Sequence, residues 1–217
     1  MKFVDLSHTI RDGLVTYPGL PAPRISDHLS REASRASYAP GPEFHIARIE
    51  MVANTGTYLD SPAHRFTDGA DLSGLALERL ADLPGVVVDL EAGARAFSAR
   101  ALPSDDLSGC AVLLRTGWSA HFGTPRYFEA HPHLSSDGAA ELVSRGAALV
   151  GIDSLNIDDT AGGERPAHSL LLRAGIPIVE HLTNLALLPA RGFHFSAVPP
   201  KIAGMGTFAV RAFARVP

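Results

Sequence analysis

"RPAHSLLLRAGIPIVE", residues 165–180, reads as a helix that passes at once into a buried strand. Pro166 opens the helical pattern and Gly175 closes it. Proline lacks the N–H that a first turn leaves unpaired, and glycine tolerates a left-handed stop. "GIPIVE" is then a short β-branched apolar run bounded by turn signals. Three upstream runs have the same character: "GVVVDL" (85–90), "CAVLLRT" (110–116) and "AALVGID" (147–153). Helical patterns lie between them. "SSDGAAELVSRGA" (135–147) offers a serine cap, Ala140, Leu142 and Val143, and Gly146 as a stop. "DLSGLALERLADL" (71–83) sets Leu72, Leu75, Leu77, Leu80 and Leu83 near helical spacing. Strands alternating with helices predict an α/β fold. Segment 44–60 differs, because Phe44, Ile46, Ile49 and Met51 resemble a strand of a more antiparallel part, so the sheet is expected to be mixed.

The bulk properties fit this reading. A chain of 217 residues suffices for one sizeable core, and residues 1–217 are expected to form a single domain. A composition 46% hydrophobic and 19% charged is ordinary for a soluble globular protein. The net charge of −4 and the lack of a basic run argue against a nucleic-acid partner. The start turns polar by Ser7, and no apolar run approaches membrane-span length, so no membrane role is expected. A single cysteine, Cys110, excludes an intramolecular disulfide, and a cytoplasmic setting is expected.

Ligands of α/β proteins gather where strands run out into loops. "GIPIVE" ends in Glu180, and a carboxylate closing an apolar strand is costly to bury unless paired or bound to a cation. A salt bridge to an arginine is the bland alternative. "AVLLRTGW" leads to Trp118, either an aromatic wall for a planar substrate or a packing residue. The strand through Met51 runs into "NTGTYLDSPAHR" (54–65). In extended backbone Asn54, Gly56, Tyr58 and Asp60 project to one side, and Pro62 turns the chain to bring His64 back. Such a group builds one side of a metal centre, or an acid/base pair in which Asp60 orients His64.

"NTGTYLDSPAH" resembles the H-x-G-T-H-x-D-x-P-x-H signature of the kynurenine formamidase-like "cyclase family" of metal-dependent hydrolases. "VDLSHTI", "YPGLP", "LLRTGW", "LVGIDSLNID", "HSLLLRAGIPIVEHLTNL" and "FHFSAVPPKIAGMGTFAVRAFA" follow in that family's order, so the resemblance covers essentially the whole chain. It implies a mixed, barrel-like sheet core with surrounding helices, a homodimer or homotetramer, and hydrolysis of small amide or lactam C–N bonds. It retains Asp60, His64, His168 and Glu180 from the family's polar set as metal residues. Asn54 and Tyr58 stand where the family has histidines, Leu20 where it has aspartate and His181 where it has asparagine.

These departures bear on the mechanism. Two carboxylates and two imidazoles suffice for one divalent ion, zinc or manganese, but a neutral phenol is a poor ligand, so two ions are not expected. The substrate is expected to be a small cyclic or aromatic molecule, with Asn54 and Trp118 as substrate contacts. The alternative is a metal-free cyclase, dehydratase or isomerase of polyketide-type metabolism, in which Tyr58, Asp60 and His64 form an acid/base cluster. A non-catalytic small-molecule-binding descendant is the third reading.

Overall fold

The four apolar runs lie side by side as the strands Leu83–Asp89, Ala111–Arg115, Leu149–Ile152 and Ile178–Glu180, joined by three parallel pairings. The computed structural model describes residues 1–217. These strands read as continuous apolar runs because both faces of a parallel sheet are covered. Val86, Val88, Val112, Leu114, Val150 and Ile152 pack on one face with Ala139 and Leu142 of the helix Ser136–Ser144 and Leu171 and Leu172 of the helix Pro166–Arg173. Val87, Leu113, Leu149 and Val179 point the other way and meet Leu6, Leu59, Phe193 and Phe195. Leu113 is fully buried, and truncating such a leucine to alanine costs about 2–5 kcal/mol.

Antiparallel strands complete a nine-stranded sheet on both sides of this centre. Phe193–Ser196, Phe213–Val216 and Lys2–Asp5 extend it from Leu83–Asp89, while Tyr58–Asp60 and Thr207–Ala209 extend it from Ile178–Glu180. The sheet curls into a half-barrel. Ser7, just past the first edge strand, bridges Leu182 beyond the seventh strand in the order, and the Val210 N–H reaches the Thr57 carbonyl at 2.9 Å. The expected mixed, barrel-like α/β architecture is the one present, and no helix is long and apolar enough to cross a membrane.

Three local expectations differ. The leucines of 71–83 form no α-helix; Leu77–Arg79 makes a single 3₁₀ turn and Leu83 already begins a strand. Asp71 explains this, because its Oδ1 accepts from the Ser73 and Gly74 N–H groups and its Oδ2 from the Gly204 N–H. Such local bonds offer the backbone an alternative to the helix. The alternation of 44–51 does give a strand, Ile46–Glu50, but it pairs with Arg24–Leu29 in a separate two-stranded ribbon whose Ile25, Ile46 and Ile49 are exposed. Gly56 takes a φ of +69°, so the chain is not extended from Asn54, and side-chain alternation holds only over Tyr58–Asp60.

Candidate active site

Strand alternation places Tyr58 and Asp60 on one face of Tyr58–Asp60 and Leu59 in the core on the other. Register then supplies their neighbours: Tyr58 lies opposite Glu180, and Asp60 opposite Thr207. The Thr207 hydroxyl donates to Asp60 Oδ1 at 2.5 Å and lies 2.7 Å from His64 Nδ1. Its one proton is taken by the carboxylate, so His64 Nδ1 carries a hydrogen that it donates to Thr207. The lone pair of His64 Nε2 is thereby left free. Gly206 makes this approach feasible, since any Cβ there would collide with the His64 backbone. His64 itself ends the 3₁₀ turn Pro62–His64, opened by proline as the sequence implied.

His168 arrives on the first turn of the helix Pro166–Arg173. The carboxylate of Asp158 accepts from the Ala167 N–H (2.6 Å) and the His168 N–H (3.0 Å), N–H groups that a helix start leaves unpaired. The same carboxylate accepts from His168 Nδ1 at 2.6 Å. Nε2 consequently faces Asp60 Oδ2 at 3.6 Å and Glu180 Oε1 at 3.7 Å, beyond hydrogen-bond distance.

Glu180 is fully buried and meets no arginine, so the bland salt-bridge reading fails. Its Oε1 accepts from the Ile157 N–H (2.6 Å); its Oε2 accepts from the Tyr58 hydroxyl (2.6 Å) and from Asn156 Nδ2 at 3.4 Å. The Tyr58 proton is therefore committed to Glu180, and burial together with Glu180 raises the phenol well above its ordinary range. Burial would lower His168, but Asp158, Asp60 and Glu180 overcome it and raise the imidazole to about 10. Burial raises Glu180 to about 7 against the pull of His168.

The geometry accommodates a cation. One ligand atom each from Asp60, His64 and His168 lies within 4.8 Å of the others, and Asp60 Oδ2 is buried with no hydrogen-bond partner. Metal-ligating histidines characteristically donate their other N–H to a fixed acceptor, as His168 does to Asp158 and His64 to Thr207. Two imidazoles and two carboxylates suit zinc or manganese.

Asn54, Tyr58, His64, His168 and Glu180 all line one cleft of about 450 Å³. Tyr17–Leu20 form a further wall, and Arg65 and Arg165 stand in its lining. Trp118 does not. Gly117 turns the chain in the left-handed region, and the indole N–H donates to the Tyr127 carbonyl at 3.0 Å with the Arg126 guanidinium 5.1 Å over the ring. Asp158, Thr207 and Arg165 were not singled out from the sequence as site residues. Only Asp158, at the end of "LVGIDSLNIDD", carried a signal there, as a strand-end carboxylate.

The fold and site together have the form of a small-molecule hydrolase with a cation-demanding cleft. The family described as "Putative cyclase" matches residues 4–159, and the chain belongs to that cyclase family. A kynurenine formamidase of Bacillus cereus is 28% identical over 182 residues, 83% of this chain and 82% of that protein. The structure of isatin hydrolase A from Labrenzia aggregata, bound to benzyl benzoate, superposes with a TM-score of 0.83 at 25% identity, covering 99% of this chain and 93% of that one. A structure described as a potential metal-dependent hydrolase with cyclase activity gives a TM-score of 0.80 at 25% identity, covering 100% and 99% of the two chains.

Proposed function

We propose that this enzyme hydrolyses the amide or lactam C–N bond of a small cyclic or aromatic molecule, using one divalent ion held by Asp60, His168 and Glu180 with His64 beside it as the general base. The observation that carries the reading is the gathering of Asp60, His64 and His168 ligand atoms within 4.8 Å around a buried carboxylate oxygen that has no partner. Kynurenine formamidase and isatin hydrolase, both similar to this chain, act on molecules of this kind by name. When bound, the ion supplies Lewis-acid chemistry, polarising the carbonyl and bringing the acidity of water near neutrality.

The chain's own groups handle the proton. His64 is the exposed member of the group, and its free Nε2 takes a proton from attacking water. Water oxygen bonds to the carbonyl carbon, the C–N bond breaks, and the nitrogen leaves with the proton that His64 returns. Arg165 spends Nη1 on the carbonyls of Asp159, Gly162 and Glu164, which fixes its guanidinium at the cleft with its other nitrogens uncommitted. With Arg65 it favours substrates or products bearing a carboxylate.

The metal-free acid/base reading requires Tyr58 to deliver its proton to substrate, yet that proton is held by Glu180 in a fully buried pair. Residues 1–217 act in this proposal as one domain, in the cytoplasm, as a homodimer or homotetramer. The exposed Ile25, Phe44, Ile46 and Ile49 of the ribbon region favour coverage by a second copy. The test is elemental analysis of protein purified without added metal, with turnover of an N-formylated aromatic amine and of an isatin-like lactam before and after chelation. One ion per chain and chelator-sensitive turnover are expected; chelator-resistant turnover would overturn the reading.

A further inference from the structure

Behind the cleft a second hydrogen-bonded set is closed off from solvent. His181 is fully buried and directly follows Glu180, with a φ of +55° that side chains other than glycine seldom adopt. Its Nε2 lies 3.3 Å from the Tyr58 hydroxyl oxygen, and its Nδ1 lies 2.9 Å from the hydroxyl of the equally buried Tyr127. No carboxylate bonds to the ring; its packing partners are Tyr58, Tyr127 and Phe122. Such an environment keeps the imidazole neutral, with one N–H and one lone pair.

The protons can then be assigned by elimination. Tyr58 gives its hydrogen to Glu180 Oε2, so at the 3.3 Å contact Tyr58 must accept, and His181 Nε2 carries the N–H. His181 Nδ1 is left as an acceptor, which the Tyr127 hydroxyl fills. The opposite tautomer would orphan the Tyr127 hydrogen, because that hydroxyl has no other partner. It would also draw the Tyr58 hydrogen away from Glu180 Oε2, leaving that oxygen only the 3.4 Å contact from Asn156.

We propose that His181, its tautomer fixed by Tyr127, is a positioning residue that holds the Tyr58 hydroxyl on Glu180 Oε2 so that Glu180 presents Oε1 to the His168 and Asp60 group. This rests on the proposed hydrolase reading for its catalytic consequence, but not for its geometry. Tyr58 is in this view neither ligand nor acid. It is the link between an aromatic support and the acidic group.

The experiment has two arms. Long-range ¹H–¹⁵N correlation of histidine-labelled protein reads the tautomer directly: His181 should show a protonated Nε2 and an accepting Nδ1. A protonated Nδ1 would overturn the proposal, since Tyr58 would then have to donate to His181. The second arm is a double-mutant cycle with Tyr127→Phe and Tyr58→Phe, read as Mn²⁺ affinity by calorimetry and as kcat. Tyr127→Phe should cost roughly fivefold to tenfold and Tyr58→Phe more, in the range of about 10–100-fold for groups supporting a metal site. The double variant should be no worse than Tyr58→Phe alone, because Tyr127 acts only through that hydroxyl. Additive losses would assign Tyr127 to structure and overturn the inference. The Mn²⁺ and tautomer readouts stand even if no amide is turned over, so failure of the hydrolase reading is separately visible.

Discussion

On either side of Tyr58 the fold treats a buried histidine in opposite ways. Toward the cleft, His168 faces Asp158, Asp60 and Glu180, all fully buried carboxylates, and is raised to about 10 against the effect of burial. Away from the cleft, His181 is lowered by burial to about 3, and His8, stacked on Phe122 with ring centroids 3.6 Å apart, is lowered by burial to about 4. The first region gathers buried carboxylates to which no lysine or arginine is bonded; in the second, Tyr58, His181 and Tyr127 satisfy one another as neutral donors and acceptors, and His8 Nε2 is buried without a partner. A protein tolerates unbalanced buried charge only where a proton or cation completes it. The acidic region is therefore the one whose chemistry is unfinished, and the aromatic region is the one that holds it in place.

The sharpest way to break this contrast is to remove charge from the acidic side. Asp60→Asn keeps the shape and removes the charge, and should lower turnover by on the order of 10³ or more, with bound metal falling well below one per chain. Normal metal content and turnover in this variant would make the acidic group structural. Asp158→Asn is a milder probe. Its single amide oxygen can replace Oδ2 and keep the bonds from the His168 N–H and Nδ1, or replace Oδ1 and keep the one from the Ala167 N–H, and either way the anion beside His168 Nδ1 is gone. Metal affinity should fall about 10–100-fold. Melting curves of the same variant measure the stability lost with the displaced N–H bond, so a fall in affinity beyond it separates positioning from folding.

Arg165→Met tests whether the acidic group is matched by basic groups at the entrance. For an amide substrate bearing a carboxylate, KM should rise about tenfold, the order expected when a charged hydrogen bond is lost. For a neutral lactam of similar size it should hardly change. Equal effects on both would show that Arg165 acts only through its bonds to the 159–164 carbonyls.

What the sequence disclosed follows from the same contrast. Residues 165–180 could be read because proline, glycine and a β-branched run agree with tertiary burial at every step. Leu72 and Leu80 misled because they are buried under a loop rather than along a helix face. Ile46 and Ile49 marked an antiparallel strand correctly, but nothing in their spacing told that it stands outside the main sheet with both side chains exposed. In the site, Asp60 and His64 share the family motif while His168 and Glu180 lie in a later segment that also resembles the family, and the structure brings them together. Asp158, Thr207 and Tyr127 act by orienting other side chains, a role set by distances that no local pattern records. Trp118 was marked by its place after a strand, but its direction depends on the turn at Gly117.

The smallest effect is expected on the aromatic side, and pH reads it. His8 stacks on Phe122 and its ring bonds to none of the carboxylates of the acidic group. Its ordinary value is 6.5, and burial lowers it to about 4 in the fold. Above about pH 6.5 both folded and unfolded chains hold it neutral, and it does not affect the pH dependence. Below that, the unfolded chain takes up a proton that the folded chain refuses, so stability falls with falling pH until the folded group titrates near 4. His8→Phe preserves a ring against Phe122 and removes the titration. Compared with its own melting temperature at pH 7.5, the variant should lose less than the parent at pH 4.5, by on the order of 2 °C. Parallel curves for the two proteins would mean that His8 is protonated alike in both states, and the aromatic side would lose its neutral character at that position.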